Sequence, residues 1–167
     1  MISYLRSLAP VRNAVAPLEP NLLGRLLQAF VLEPAGPAKP PPRSVRAEPT
    51  AEYGRYLAHD VANCVGCHTR RDRRTGAFTG PAFAGGMAFE SHSVPGRRFV
   101  SPNLTPERAT GRIVDWSEAA FVQRFRAAQA TPSPMPWSSF SRMSGDDLRA
   151  LYRYLRSLPP VRMPDEG

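Results

Sequence analysis

A small all-α domain, a few helices joined by long loops and preceded by a proline-rich N-terminal extension, is the fold the sequence predicts, on three observations. Apolar residues recur at helical spacing in separate stretches, and nothing between them sustains the alternation of a strand. The 167 residues include nineteen prolines and twelve glycines against two Trp, five Tyr and eight Phe, so the core is small for the length of chain. Both cysteines fall in one run, Cys64-Val65-Gly66-Cys67-His68, which gathers two thiols and an imidazole on a single helical turn.

The extension, residues 1–49, comes first. Its opening stretch Tyr4-Leu5-Arg6-Ser7-Leu8-Ala9-Pro10-Val11-Arg12 recurs as Tyr154-Leu155-Arg156-Ser157-Leu158-Pro159-Pro160-Val161-Arg162, differing only at Ala9 against Pro159, and such matching implies a duplicated unit. From Pro10 to Pro49, Pro40-Pro41-Pro42 included, the composition is that of a linker. Leu22 to Leu32 inside it reads as one helix that could lie on a membrane or on a partner protein. Arg25 and Gln28 interrupt it and Pro34 ends it, so it is no membrane span.

The domain proper, residues 50–167, begins near Thr50. Tyr53, Tyr56, Leu57 and Val61 predict a helix from about Ala51 to Asn63 that delivers the chain to the cysteine motif. Between His68 and Thr110 the turn residues Gly80-Pro81, Gly85-Gly86, Pro95-Gly96 and Pro102 predict a long loop, a length that a compact domain tolerates when the loop wraps something. Asp115 or Ser117 caps the next helix, with Glu118 in its first turn and Ala119, Phe121, Val122 and Phe125 continuing it. A second loop, Thr131 to Phe140, carries Pro132, Pro134 and Pro136 around Met135 and Trp137. Ser144-Gly145-Asp146-Asp147 then caps a last helix with the apolar stripe Leu148, Leu151, Tyr152 and Leu155, which Pro159 and Pro160 end.

The cysteine run reads as a covalent haem site: each thiol can add to one haem vinyl group, and the adjoining imidazole then lies under the iron. The competing chemistries fit less well. A thioredoxin-like redox pair wants a βαβ setting, a structural zinc site wants more ligands than His59 and His92 supply, and a disulfide across two residues is strained. One haem c, attached through Cys64 and Cys67 with its iron on His68, is therefore expected. For the sixth ligand the candidates are Met87, Met135, Met143 and His92. Met135 stands between two prolines in a loop of little rotational freedom, which suits a thioether held at fixed distance and favours ferrous iron. Arg71, Arg98, Asn103 and the indole N–H of Trp116 are candidate donors to the haem propionates. With haem in the second copy of the duplicated unit, the first copy reads as the stub of a preceding haem domain.

The formal net charge of +8 favours an acidic partner or an anionic membrane, and no nucleic-acid-binding motif accompanies it. Arg70, Arg71, Arg73 and Arg74 directly follow the haem motif and Arg97-Arg98 form a second pair, so the charge gathers at the expected cofactor. Covalent haem attachment implies a location outside the cytoplasm, although Met1 to Pro20 shows no signal-peptide pattern.

The stretch from about Thr50 to Arg162 resembles class I c-type cytochrome domains, in particular those of the multihaem cytochrome c subunits of membrane-bound bacterial alcohol, aldehyde and gluconate dehydrogenases. The matching pieces are Cys64 to Thr69, Gly85-Gly86, Asn103-Leu104-Thr105-Pro106, Thr110-Gly111 with Trp116 after it, Met135-Pro136, and Asp147 to Tyr152 leading to Leu155 to Val161. The resemblance implies a class I cytochrome c fold, His68 and Met135 as axial ligands, Cys64 and Cys67 as thioether anchors, and single-electron transfer with no bond chemistry of the protein's own. It implies a dehydrogenase subunit or another redox protein as partner and a periplasmic site of action. An open sixth position would instead give peroxidase-like or gas-binding chemistry, and a chain never exported would be a remnant without haem.

Overall fold

The computed structural model describes residues 2–32, 40, 44–91, 95–127 and 133–163, so His92 and Pro132 lie outside the described residues. The chain divides into two compact units, Met1–Pro42 and Arg43–Gly167. In the first, α1 (Ile2–Ser7) is followed by α2 (Leu22–Phe30), whose N-terminus is capped by the Asn21 side chain accepting from Gly24 N at 2.9 Å. Leu22, Leu23, Leu26, Leu27 and Phe30 form an apolar stripe along α2, and all five are exposed. Among the described residues no helix is long and apolar enough to cross a membrane.

The second unit is built on the crossing of its first and last helices. Thr50 caps α3 (Ala51–Tyr56) by accepting from Tyr53 N, and the rod continues as a π segment, Leu57–Val61, in which Ala62 N reaches back to Leu57 O at 2.8 Å. Asn63 then turns left-handed, at φ 49°, and ends the rod one residue before α4 (Cys64–His68). Ser117, not Asp115, caps α5 (Glu118–Arg126), because its hydroxyl accepts from Ala120 N at 3.1 Å. After the single turn α6 (Trp137–Phe140), a reciprocal capping box between Ser144 and Asp147 starts α7 (Gly145–Ser157).

Leu148, Ala150, Leu151 and Leu155 of α7 are buried against Leu57 and Ala58 of the rod, Phe121 and Phe125 of α5, and the loop residues Phe83 and Ile113. Each large aliphatic side chain in this seam contributes on the order of 2 kcal/mol by leaving water. Gly54 lets α3 and α7 meet, since a Cβ there would stand 2.0 Å from Ala150 O. Glu118 of α5 accepts from Arg153 Nε of α7 at 2.9 Å, which fixes the two helices at their polar edge.

The fold is mostly helical, as expected, and adds one small two-stranded sheet that the sequence reading does not include. Within the long loop, β1 (Ala88–Glu90) and β2 (Arg98–Val100) pair antiparallel, with Phe89 opposite Phe99 and Glu90 opposite Arg98. Three-residue strands are too short to raise a period-two signal, and their stability comes from these cross-strand pairs rather than from a buried face.

His59, on the π segment, packs edge-on to Phe83 and lies 2.8 Å by its Nε2 from the Tyr154 hydroxyl. Burial holds its pKa below the ordinary value, Arg55 adds to the effect and Asp60 opposes it. The folded state therefore keeps this imidazole neutral, whereas the unfolded chain takes up a proton near pH 6.5. Because the unfolded state binds the extra proton, stability from this group is present above that pH and is lost as pH falls through it, levelling below the folded pKa. The melting midpoint is expected to drop between about pH 7 and pH 5, and to drop less in His59→Gln. Equal slopes would show that other groups govern the acid limb.

Candidate functional site

Cys64, Cys67 and His68 share the short helix α4, and its geometry follows from local packing. Gly66 in its middle is buried, and a Cβ there would stand 2.5 Å from Asn63 Oδ1 and 2.6 Å from Arg71 Nη2. Arg71 donates to Gly66 O from Nε at 3.1 Å and Nη2 at 2.6 Å, satisfying a carbonyl that so short a helix leaves open, and its guanidinium lies 5.0 Å over the Phe78 ring. Both thiols are free. Cys64 packs against the hydrophobic cluster and burial pushes its thiol up to about 11, so a neutral sulfur suits the position, while Cys67 is exposed.

His68 is buried, and its Nδ1 lies 2.9 Å from Pro102 O. A carbonyl oxygen can only accept, so the proton sits on Nδ1 and the lone pair on Nε2. Burial holds the pKa of the ring below its ordinary value, partly offset by that hydrogen bond. Among the described residues nothing bonds to Nε2. The loop after α4 grips the motif from the other side: Gly85 N donates to His68 O at 2.8 Å and Phe83 N to Thr69 Oγ1 at 3.1 Å. Gly85 (φ +76°) is required there, because a Cβ would fall 2.6 Å from both Ser101 O and the Pro102 carbonyl carbon.

These features satisfy what a covalent haem asks of a polypeptide. Two sulfurs one turn apart and an adjacent imidazole whose Nδ1–H donates to a carbonyl, leaving the Nε2 lone pair unused, match the donor set that a c-type haem would need. Met135 is half-buried against the same hydrophobic cluster as Cys64, with Trp137 N donating to Met135 O at 2.8 Å and Met135 N donating to Ser133 Oγ at 3.2 Å. Met87 instead lines a cleft of about 350 Å³ with Gly66, Cys67, Arg71 and Phe89. Met143 also packs against the cluster, just ahead of α7.

No hydrogen bond or ion pair joins the four expected propionate donors to one another. Arg71 serves Gly66, Arg98 is exposed on β2 opposite Glu90, and Trp116 packs half-buried against Phe121. Asn103 is wholly buried, with both amide hydrogens and its oxygen engaged by Thr110, Val161 and Thr105. Pro102 reads in the sequence only as a turn residue, yet it supplies the acceptor for His68. A backbone carbonyl leaves no mark in residue type, so only its neighbourhood to Asn103 could have hinted at it.

No protein-family model matches the chain. It is 32% identical over 120 residues, 69% of its length, to the cytochrome c subunit of alcohol dehydrogenase (quinone) of Gluconacetobacter polyoxogenes. It is 30% identical over 126 residues, 72% of its length, to the corresponding cytochrome c subunit of Gluconobacter oxydans, and 34% identical over 114 residues, 65% of its length, to the gluconate 2-dehydrogenase cytochrome c subunit of Pantoea cypripedii. The matches cover 23%, 24% and 23% of those three proteins, so the chain spans less than a quarter of each.

Proposed function

Because the chain is, over about seven tenths of its length, a relative of the cytochrome c subunits of bacterial alcohol and gluconate dehydrogenases, we propose that residues 43–167 form a single-electron carrier built on one covalent haem c. The observation that carries the reading is the α4 turn, with His68 Nδ1 bound to Pro102 O and Nε2 left as the unused lone pair. Cys64 and Cys67 would hold the haem by thioethers, and His68 and Met135 would close the iron on its two faces. When bound, the haem supplies one reversible ferric/ferrous couple. The chain's own residues do the rest: they fix the ligands, shield the half-buried sulfur of Cys64 from water, and place Arg71 and Arg73 beside the exposed Cys67.

The donor is a dehydrogenase subunit, in keeping with the relatives' names, and the acceptor is a component of a respiratory chain on the periplasmic side of the membrane. The positive charge of Arg70, Arg71, Arg73 and Arg74 steers an acidic partner to that face, and the leucine stripe of α2 offers peripheral contact with the membrane.

The axial assignment is open to a direct test. Reduced wild-type protein should not take up carbon monoxide, Met135→Ala should bind it readily and show a lower reduction potential, and Met87→Ala should behave as wild type. Ready binding by Met87→Ala with Met135→Ala inert would transfer the ligand role to Met87, and ready binding by the wild type would replace electron transfer by gas or peroxide chemistry.

A further inference from the structure

The His68 ring is oriented by a carbonyl, and a carbonyl is only as fixed as the backbone that carries it. Pro102 O receives the His68 Nδ1 proton at 2.9 Å. Asn103, the next residue, has no exposed surface, and its side-chain amide is fully engaged in hydrogen bonds. Its Nδ2 donates to Thr110 Oγ1 at 2.9 Å and to Val161 O at 2.7 Å, and its Oδ1 accepts from Thr105 N and Thr105 Oγ1, both at 2.8 Å. Val161 N in turn donates to Thr105 Oγ1 at 3.2 Å, and Arg112 N to Asn103 O at 2.8 Å. On the other flank of Pro102, Gly86 N donates to Ser101 O and Ser101 N to Met87 O, each at 2.9 Å. The peptide facing the histidine is thus pinned on both sides, and the pin on the Asn103 side runs to the segment that leaves α7.

Resting on the haem reading above, we propose that Asn103, supported by Thr105, is a positioning residue for the axial histidine that ties the Pro102 carbonyl to the chain exit at Val161. A donor to a propionate needs a free N–H, and both amide hydrogens of Asn103 are spent inside the protein. A well-aligned N–H···O=C bond keeps the imidazole electron-rich, which favours ferric iron and lowers the reduction potential. Loosening the carbonyl weakens that bond, so the potential rises. The segment that leaves α7 at Val161 thereby sets the properties of a ligand far from it in sequence.

The test uses the full haem-loaded chain with Asn103→Ala and the pair Thr105→Val and Thr105→Ser. Asn103→Ala and Thr105→Val should raise the reduction potential and displace the hyperfine-shifted resonances of the His68 ring, and Thr105→Ser should return both to wild-type values. Gly54→Ala, which destabilises through the α3–α7 crossing, should leave potential and resonances in place. If Asn103→Ala and Thr105→Val lower the melting temperature alone, as Gly54→Ala does, the proposal is overturned. Should Asn103→Ala fail to fold, the Thr105 pair carries the comparison. Lack of covalent haem would sink the haem reading by itself, and in that colourless chain the His68 tautomer, read from ¹⁵N shifts, still decides. Wild-type preference for Nδ1–H that is lost in Asn103→Ala supports positioning, and an unchanged preference refutes it.

Discussion

Replacing Cys64 and Cys67 together by alanine is expected to remove all covalent haem from protein produced in a host able to mature c-type cytochromes. The wild-type chain, denatured and extracted with acidified organic solvent, should keep its colour in the polypeptide fraction, and the double variant should lose it to the solvent. Each single variant should retain attachment through the remaining sulfur at reduced yield. The argument is geometric: α4 sets both sulfurs on one turn, and the Asn63 left-handed residue and the Arg71 guanidinium on Gly66 O hold that turn in shape. Stability should fall as well, because Cys64 and Val65 pack against the main hydrophobic cluster and the flat apolar face of the cofactor would extend it. A wild-type polypeptide that is colourless after extraction would remove the basis of the functional reading.

Gly54→Ala should cost about 3 kcal/mol, near the upper end for an overpacked core position, and lower the melting midpoint by roughly 10 °C. The added Cβ would meet Ala150 O at 2.0 Å, Ala150 C at 2.5 Å and Tyr154 Cβ at 2.8 Å. Two of these are backbone atoms of a helix, so relief requires α3 and α7 to separate and expose the Leu57, Leu151 and Leu155 seam. Gly76→Ala is the informative comparison. That residue has φ +74° with nothing within 4 Å of the new methyl, so only local backbone strain of about 1 kcal/mol is expected. Urea unfolding followed by tryptophan fluorescence compares the two, and equal losses would mean that the helix crossing is looser than described.

The helices were legible because capping chemistry and apolar periodicity act locally. Ser144 with Asp147, and the stripe Leu148, Leu151 and Leu155, announce α7 before any tertiary contact is known. The Cys64-to-His68 run stands out in the sequence for a different reason, since its spacing is the one that the proposed haem's chemistry would require. What stayed hidden was relational. The β1–β2 ribbon exists by pairing across a turn, the change of the rod to π geometry at Leu57 carries no composition signal, and Pro102 acts through a carbonyl that every residue possesses. Asn103 stands out in the sequence for its polarity, but whether that polarity faces a ligand or the protein's own backbone depends on Thr105, Thr110 and Val161 meeting it.

The duplicated nine residues show how little a string owns its fate. Both copies fold to the same internal bonds, Ser7 Oγ to Tyr4 O and Ser157 Oγ to Tyr154 O at 2.7 Å each. Yet Leu5 is 57% exposed and Leu155 only 3%. The difference is supplied by answering surfaces: His59 for the tyrosine hydroxyl, Val114 O for the arginine, Asn103 and Thr105 for the valine peptide. Conformation is thus written into the nonapeptide, whereas dryness is granted by its host, and identity between two segments transfers the first property without the second.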